Sequence, residues 1–343
     1  RALIGSGQAF EIEENGLGYN NLLYIATVLG ELQKSKADEV IDLAILLIEE
    51  PEAHLHPHLQ TVLIDYLQNI PLAPNTDPAN EDKATGSPVQ VFVTSHSPVI
   101  ASRVNLDALN VLHLSNNYTL VSLPIKECPF EGNDREYLKR YLDVTKAQLF
   151  FAKGLIFVEG ISEALLLPEF ATIMGHDLNK CAISIINVQS LAFQPFAHLF
   201  QNDKLQLRAA ILTDSDPRGD DPTSDAAQNI KELETGSLKV FMASRTFEYD
   251  LALASDANAA QMASVYRQLR PQKGKVLADT VQAAANNAEK AKAFMDNFDS
   301  KDKARFAQKL AEKLAESATG FVVPQYIKQA ISHAIGATYA CES

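Results

Sequence analysis

The chain has 343 residues, 46% hydrophobic and 21% charged, with a formal net charge of −13; this excludes a disordered chain and leaves room for two domains. No apolar run has the length of a membrane-spanning helix and no charged-then-apolar leader opens the sequence, so a cytoplasmic protein is expected. The acidic balance excludes a generally basic nucleic-acid binder, and any phosphate-holding surface must be local. Cys128, Cys181 and Cys341 are odd in number and widely spaced, with no CxxC pair. That pattern argues against a disulfide framework and a zinc site, and for a reducing compartment. Arg1 reads as a point inside a longer pattern.

Apolar residues recur at helical spacing through Leu22, Ile25, Ala26 and Leu29, behind the polar, glycine-containing turn Asn15–Asn21. A loop opening onto a helix is predicted. Leu43–Ile48 is a continuous apolar run ended by Glu49-Glu50-Pro51, the pattern of a strand buried on both faces of a parallel sheet. A helix near His58–Leu67, a polar loop over Pro71–Pro88 and a strand at Val89–Thr94 follow; that strand ends in Ser95-His96-Ser97-Pro98. From about Pro124 to Lys153 a helical connection is expected, carrying Lys139, Arg140, Lys146 and Lys153. Strands are predicted at Leu155–Val158, Ile183–Val188, Ala209–Thr213 and Lys239–Ala243, with helices near Glu163–Met174 and Gln194–Leu199. Pro168 would kink the first of these helices if that helix runs so far. From Ala252 to Ala318 the composition turns to Ala, Lys, Glu and Gln, which favours helices.

The first constellation lies at the ends of the early strands. Glu49 and Glu50 sit where a nucleoside triphosphatase needs one carboxylate to hold magnesium through water and another to orient the attacking water, and His96 follows the next strand, where an imidazole could reach a γ-phosphate. The series Glu49-Glu50-Pro51-Glu52, His54-Leu55-His56-Pro57 and Thr94-Ser95-His96-Ser97-Pro98 resembles the ABC-type ATPases over about Gly16 to Arg103. By that resemblance Asn15–Asn21 is a divergent signature loop and Glu49, Glu50 and His96 face the nucleotide. His54 and His56 read as structural turn residues rather than metal ligands. No GxxxxGK[ST] loop occurs; the only Gly-Lys pair, Gly274-Lys275, has Leu269 at the first glycine position. Without that phosphate-binding loop, this chain alone is not expected to hydrolyse ATP.

The second constellation gathers acids at later strand ends. Glu159 ends one strand, Glu163 lies about a helical turn beyond, and Asp214 and Asp216 alternate at the end of another. Clustered carboxylates repel one another and resist desolvation, so a divalent cation is expected among them, and hard oxygen ligands select Mg²⁺ or Mn²⁺. Gly160 permits the sharp turn and close backbone approach. Val158-Glu159-Gly160 with Asp214-Ser215-Asp216 resembles the Toprim domain of topoisomerases, primases and certain nucleases. Joined to the ABC-type segment, the pair resembles the OLD (overcoming lysogenisation defect) family of ATPase-linked nucleases, whose Gabija relatives serve in phage defence. By the same resemblance Glu248, in Thr246-Phe247-Glu248-Tyr249-Asp250-Leu251, completes a metal shell. Lys303, in Asp302-Lys303-Ala304-Arg305-Phe306-Ala307-Gln308, is the lysine that offsets transition-state charge, although Ala304 replaces the family's glycine; Lys309, Lys313 and Lys328 are alternatives. Asp220 and Asp221 read as loop acids.

The fold class implied is α/β: a partial ABC-type ATPase lobe over 1–123, linker helices over 124–152, and a Toprim parallel sheet over 153–343 with a helical insertion at about 252–318. The implied function is a two-metal DNA endonuclease, regulated by ATP in the full-length protein. DNA is the expected substrate, and a homodimer or higher oligomer with a helicase-like partner the expected assembly. Glu159 and Glu163 would hold one ion, with Asp214, Asp216 and Glu248 around the other. Arg267, Arg270, Lys273 and Lys275 are the candidate backbone-binding patch. A Toprim topoisomerase or primase, with Tyr249 the nearest nucleophile, and a non-catalytic cation-binding module are the competing readings.

Overall fold

The protein was analysed as a computed structural model that describes residues 2–4, 8–10, 16–38, 40–70, 89–114, 119–189, 192–217 and 223–336. Two compact units form: Arg1–Leu109 with Leu142–Ala147, and Asn110–Tyr141 with Gln148–Ser343. In the first, β1 (Ala2–Ile4) and β2 (Gln8–Phe10) pair antiparallel. Helix α1 spans Leu17–Ala37 behind Gly16. The segment read as a loop is therefore helical from Leu17 on, while Asn15 lies outside the described residues. Gly18 lets the helix start there: a Cβ at that position would stand 2.4 Å from the His54 carbonyl oxygen, a distance no side chain tolerates.

β3 (Ile45–Glu49), α2 (Pro57–Gln68), β4 (Gln90–Thr94) and α3 (Pro98–Arg103) complete this unit. β3 and β4 are parallel, with Glu49 opposite Thr94. Leu29, Ala44, Ile48, Leu55, Leu63, Leu67 and Val89 form the core. The expectation that the first strand is buried on both faces is not met: Ile45, Leu47 and Phe92 are exposed, Leu47 at 72%. Among the described residues the sheet has two strands, and α1 and α2 pack on one side of it. The loop predicted over 71–88 lies outside the described residues.

The second unit opens with an antiparallel hairpin, β5 (Asn110–Leu114) and β6 (Leu120–Pro124), which the sequence reading did not anticipate. Helix α4 (Asp134–Tyr141) holds Lys139 and Arg140. Lys146 starts a separate 3₁₀ turn ending at Phe150, and Lys153 lies beyond it; the four basic residues do not share a helix. Next come β7 (Gly154–Val158), α5 (Ile161–Ile173), β8 (Ile183–Asn187), α6 (Gln194–Ala197), β9 (Arg208–Thr213), α7 (Asp225–Lys231) and β10 (Leu238–Met242). The four strands make one parallel sheet in the order β10-β9-β7-β8. β7 is buried at every position, as a central strand covered by helices must be. Pro168 lies inside α5, which runs through it without interruption.

Six helices follow: α8 (Phe247–Leu253), α9 (Asp256–Leu269), α10 (Pro271–Ala283), α11 (Asn287–Asn297), α12 (Lys303–Glu316) and α13 (Gln325–Ile335). Together with the sheet they bury one continuous core that includes Val158, Leu166, Phe170, Leu212, Phe247, Tyr266, Phe294, Phe306 and Ile331. Each large apolar side chain buried there contributes about 1.5–3 kcal/mol. Helix α12 packs along α5, and α13 packs over β7, β9 and β10. Gly154 admits α13: a Cβ there would lie 2.3 Å from the Ala334 carbonyl oxygen.

Candidate metal centre

The strand register builds the centre. Because Val158 pairs with Leu212, the next residues, Glu159 and Thr213, lie side by side where two central strands end. Glu159 Oε1 accepts a short hydrogen bond from Thr213 Oγ1 and another from the Asp214 backbone N–H at 3.0 Å. Glu159 is thereby fixed to the end of β9. Asp214 follows directly. Asp216 stands two residues on with φ at 45°, and its N–H donates to the Arg245 carbonyl at 3.2 Å, tying this turn to the one after β10. Asp220 and Asp221 lie outside the described residues.

Helix α5 brings Glu163 into its first turn. A Cβ on Gly160 would meet Glu163 Oε2 at 3.2 Å, so glycine leaves that carboxylate its place. Glu248 comes from α8, capped at its start by the Thr246 side chain, and is 2% exposed. Its Oε2 is buried and has no hydrogen bond among the described residues, although Lys303 Nζ, at the start of α12, stands 3.0 Å away as an ion pair.

Electrostatics bind these groups into one cluster. Burial is the largest influence on Glu159, Glu163 and Asp214, and neighbouring carboxylates add to it. Asp214 is pushed up to about 8 by burial and then by Glu159, Glu163 and Glu248, against the pull of Lys303. Glu163 is pushed up to about 7 by burial, Glu248 and Glu159. Glu159 is raised by burial, with Asp216 adding to the rise against its hydrogen bonds from Thr213 and Asp214. For Lys303, burial favours the neutral amine, but Glu248, Asp214 and Glu163 outweigh it and hold the ammonium above its ordinary range.

The structure thus brings Glu159, Glu163, Asp214, Glu248 and Lys303 together, with Asp216 beside Glu159. Among the described residues no three His, Cys, Asp or Glu are drawn close enough to cage an ion unaided. The donor set still suits a divalent cation: hard oxygens only, mutually repelling, desolvated, and including one buried oxygen without a hydrogen bond. Lys309 pairs with Glu312 at 3.1 Å instead.

Two neighbours escaped the sequence reading. Asp250, two residues after Glu248, accepts from the Ser244 N–H at 2.6 Å and from the Ser244 hydroxyl, fixing the turn that holds Asp216. The Tyr326 hydroxyl is buried without a hydrogen-bond partner among the described residues; burial, then Asp214, Asp250, Glu163 and Glu248, raise it well above the ordinary phenol range. Asp250 was visible as the second acid of its motif. Tyr326, more than a hundred residues from Asp214 in sequence, carried no local signal.

Tyr249 packs against the core, its ring 5.1 Å from the Arg245 guanidinium carbon. In the proposed basic patch, Arg270 is paired with Asp302 at 2.6 Å and Lys273 with Asp299 at 3.4 Å. Gly274 serves helix packing, since a Cβ there would lie 2.3 Å from Arg267 Cα.

In the first unit, Glu49 ends β3. The Glu50 N–H continues the ladder to the Thr94 carbonyl at 2.9 Å, and Glu50 adopts φ of 43°. His96 Nε2 lies 3.7 Å from Glu50 Oε1, both side chains exposed. Glu52, given no role from sequence, accepts from Ser95 Oγ and the His96 N–H, each at 2.8 Å, and so places the loop carrying His96. His56 caps α2 with Nδ1 accepting from the His58 N–H at 3.3 Å, a structural role.

Residues 2–101 match the AAA ATPase domain family, and residues 150–216 match the TOPRIM domain of overcoming lysogenization defect protein-like sequences. Endonuclease GajA of Bacillus cereus (strain HuB5-5) is 29% identical over 240 residues, 65% of this chain and 33% of that protein. The chain therefore spans about a third of the length of that curated relative. The C-terminal region of the Burkholderia pseudomallei OLD protein aligns at TM-score 0.42 with 26% identity, covering 54% of this chain and 98% of that one. The corresponding region from Xanthomonas campestris pv. campestris aligns at TM-score 0.40 with 26% identity, covering 55% and 95%. The resemblance drawn from the motifs holds: an AAA-like ATPase segment precedes an OLD-like Toprim segment.

Proposed function

We propose that this chain carries the cutting site of a divalent-metal-dependent DNA endonuclease, set behind part of an ATPase domain that regulates it in the full-length protein. The observation carrying this reading is the convergence of Glu159, Glu163, Asp214 and Glu248 from separate elements on one desolvated spot beside Lys303. The similarity to a GajA endonuclease supports the reaction class. Bound divalent ions would supply an activated water and stabilise the leaving oxygen of a phosphodiester. Glu159 and Glu163 would hold one Mg²⁺ or Mn²⁺ ion, and Asp214, Asp216 and Glu248 the other. Glu159 also orients Asp214 through the backbone N–H it accepts. Lys303 offsets negative charge on the phosphoryl oxygens.

Glu49, Glu50 and His96 would serve the nucleotide once a phosphate-binding loop is present, with Glu52 placing His96. The protein is proposed to act on DNA in the cytoplasm as a homodimer or higher oligomer, with a helicase-like partner; among the described residues no helix is long and apolar enough to cross a membrane. A plasmid-nicking assay with Mg²⁺, Mn²⁺ and Ca²⁺ tests the reading. Nicking is expected with the first two and its loss in Asp214→Ala, whereas unchanged cutting by a clean preparation of that variant refutes the assignment.

A further inference from the structure

Asp302 is buried, 1% exposed, immediately before α12. It occupies the N-cap position, where aspartate ordinarily accepts a hydrogen bond from its own helix. Here its side chain makes no cap bond. It turns instead to Arg270, whose Nε donates at 2.9 Å to Oδ2 and whose Nη2 donates at 2.6 Å to Oδ1. The Tyr266 hydroxyl donates to Oδ2 at 3.2 Å and accepts from the Asp299 N–H at 3.3 Å. Both ends of the 299–302 turn are thereby fastened to the corner between α9 and α10, where Arg270 sits just before Pro271.

A buried ion pair is a poor source of net stability, because desolvation cancels most of its attraction, but a bidentate pair fixes direction. What this one fixes is the next residue. Lys303 begins α12 one peptide bond beyond Asp302 and reaches Glu248 at 3.0 Å. Within the acid cluster its side chain stays 40% exposed, and the Glu248 oxygen it pairs with forms no hydrogen bond among the described residues. Lys303 is thus held at its tip by Glu248 and at its backbone by the fastened Asp302 turn.

We propose that Arg270 and Asp302, with Tyr266, are positioning residues that set Lys303 against the acidic cluster. This rests on the nuclease reading only where it concerns cutting. Arg270 is accordingly a structural clamp rather than a DNA contact.

The test compares the full chain with Arg270→Met/Asp302→Leu, which replaces the pair by apolar groups without stranding a buried charge, and with Asp302→Asn, which keeps the shape. Each is made with and without Lys303→Ala. Acetylation of Lys303 by acetic anhydride, read by mass spectrometry against Lys309, reports its placement whether or not the protein cuts. The clamp variants should melt within a few degrees of the parent, acetylate Lys303 several-fold faster, and lose about 10–100-fold in kcat for Mn²⁺-dependent nicking with KM within about threefold. In the Lys303→Ala background the same changes should add less than about twofold. Unchanged Lys303 acetylation overturns the proposal, as does an equal kcat loss in both backgrounds. Faster Lys303 acetylation in the clamp variants, with a parent that never nicks, supports the clamp and rejects the nuclease reading.

Discussion

Asp214→Asn should make the metal-free protein more stable, not less. The Asp214 carboxyl is pushed up to about 8 by burial and by Glu159, Glu163 and Glu248, whereas an unfolded aspartate titrates near 3.9. Between those values the unfolded chain binds fewer protons than the native one, so the group's contribution falls as pH rises from about 4 to about 8 and is flat outside that window. At pH 7 the full penalty would be about 4 kcal/mol. Its neighbours share the repulsion and relax when one charge goes, so half of that, about 2 kcal/mol, is the expected gain. For a unit of this size 2 kcal/mol corresponds to a melting temperature higher by roughly 4–8 °C. The assay is thermal unfolding in EDTA at pH 7 and pH 5, with and without Mn²⁺. The gain should shrink at pH 5, and Mn²⁺ should stabilise the parent but hardly the variant. Equal destabilisation at both pH values would refute the electrostatic account.

Lys303→Met should reduce nicking by about 10²–10³-fold, as loss of a transition-state charge partner does, and single-turnover cutting of plasmid measures it. Cation binding must displace protons from Glu163, near 7, and Asp214, near 8. Each proton released changes apparent affinity about tenfold per pH unit below its pKa. Mn²⁺ affinity by calorimetry should therefore fall by about 10–1,000-fold from pH 8 to pH 6, and a flat profile would contradict the cluster. Gly274→Ala should cost about 1–3 kcal/mol by forcing α9 and α10 apart, read as a lower melting temperature with the Mn²⁺-induced shift retained.

The sheet and its acids were legible because strands buried on both faces write continuous apolar runs, and Glu159 and Asp214 directly follow two of them. The register that sets Glu159 beside Thr213 could not be read, since pairing between β7 and β9 joins segments over fifty residues apart. Ile45 and Leu47 misled for the converse reason: their run is as apolar as that of β7, but the described residues leave their face open. The Asp302 clamp was hidden because the motif around Lys303 draws attention to the lysine, while the meaning of the aspartate depends on Arg270, thirty-two residues earlier.

On the proposed reading, the charge of the centre also bears on how an acidic protein would admit DNA. Glu159, Glu163, Asp214, Asp216 and Glu248 outnumber Lys303 by four formal charges, within a chain that is itself at −13. The burial and the carboxylate repulsion that together raise Asp214 to about 8 would act equally on a phosphodiester entering the same desolvated space. Lys303 alone does not offset it, because one ammonium stands against five carboxylates. On the proposed reading, two divalent ions would bring the centre to neutrality and one would leave it negative. The cation requirement is then a condition for substrate entry as much as for chemistry, which favours a pair of ions over a single structural cation.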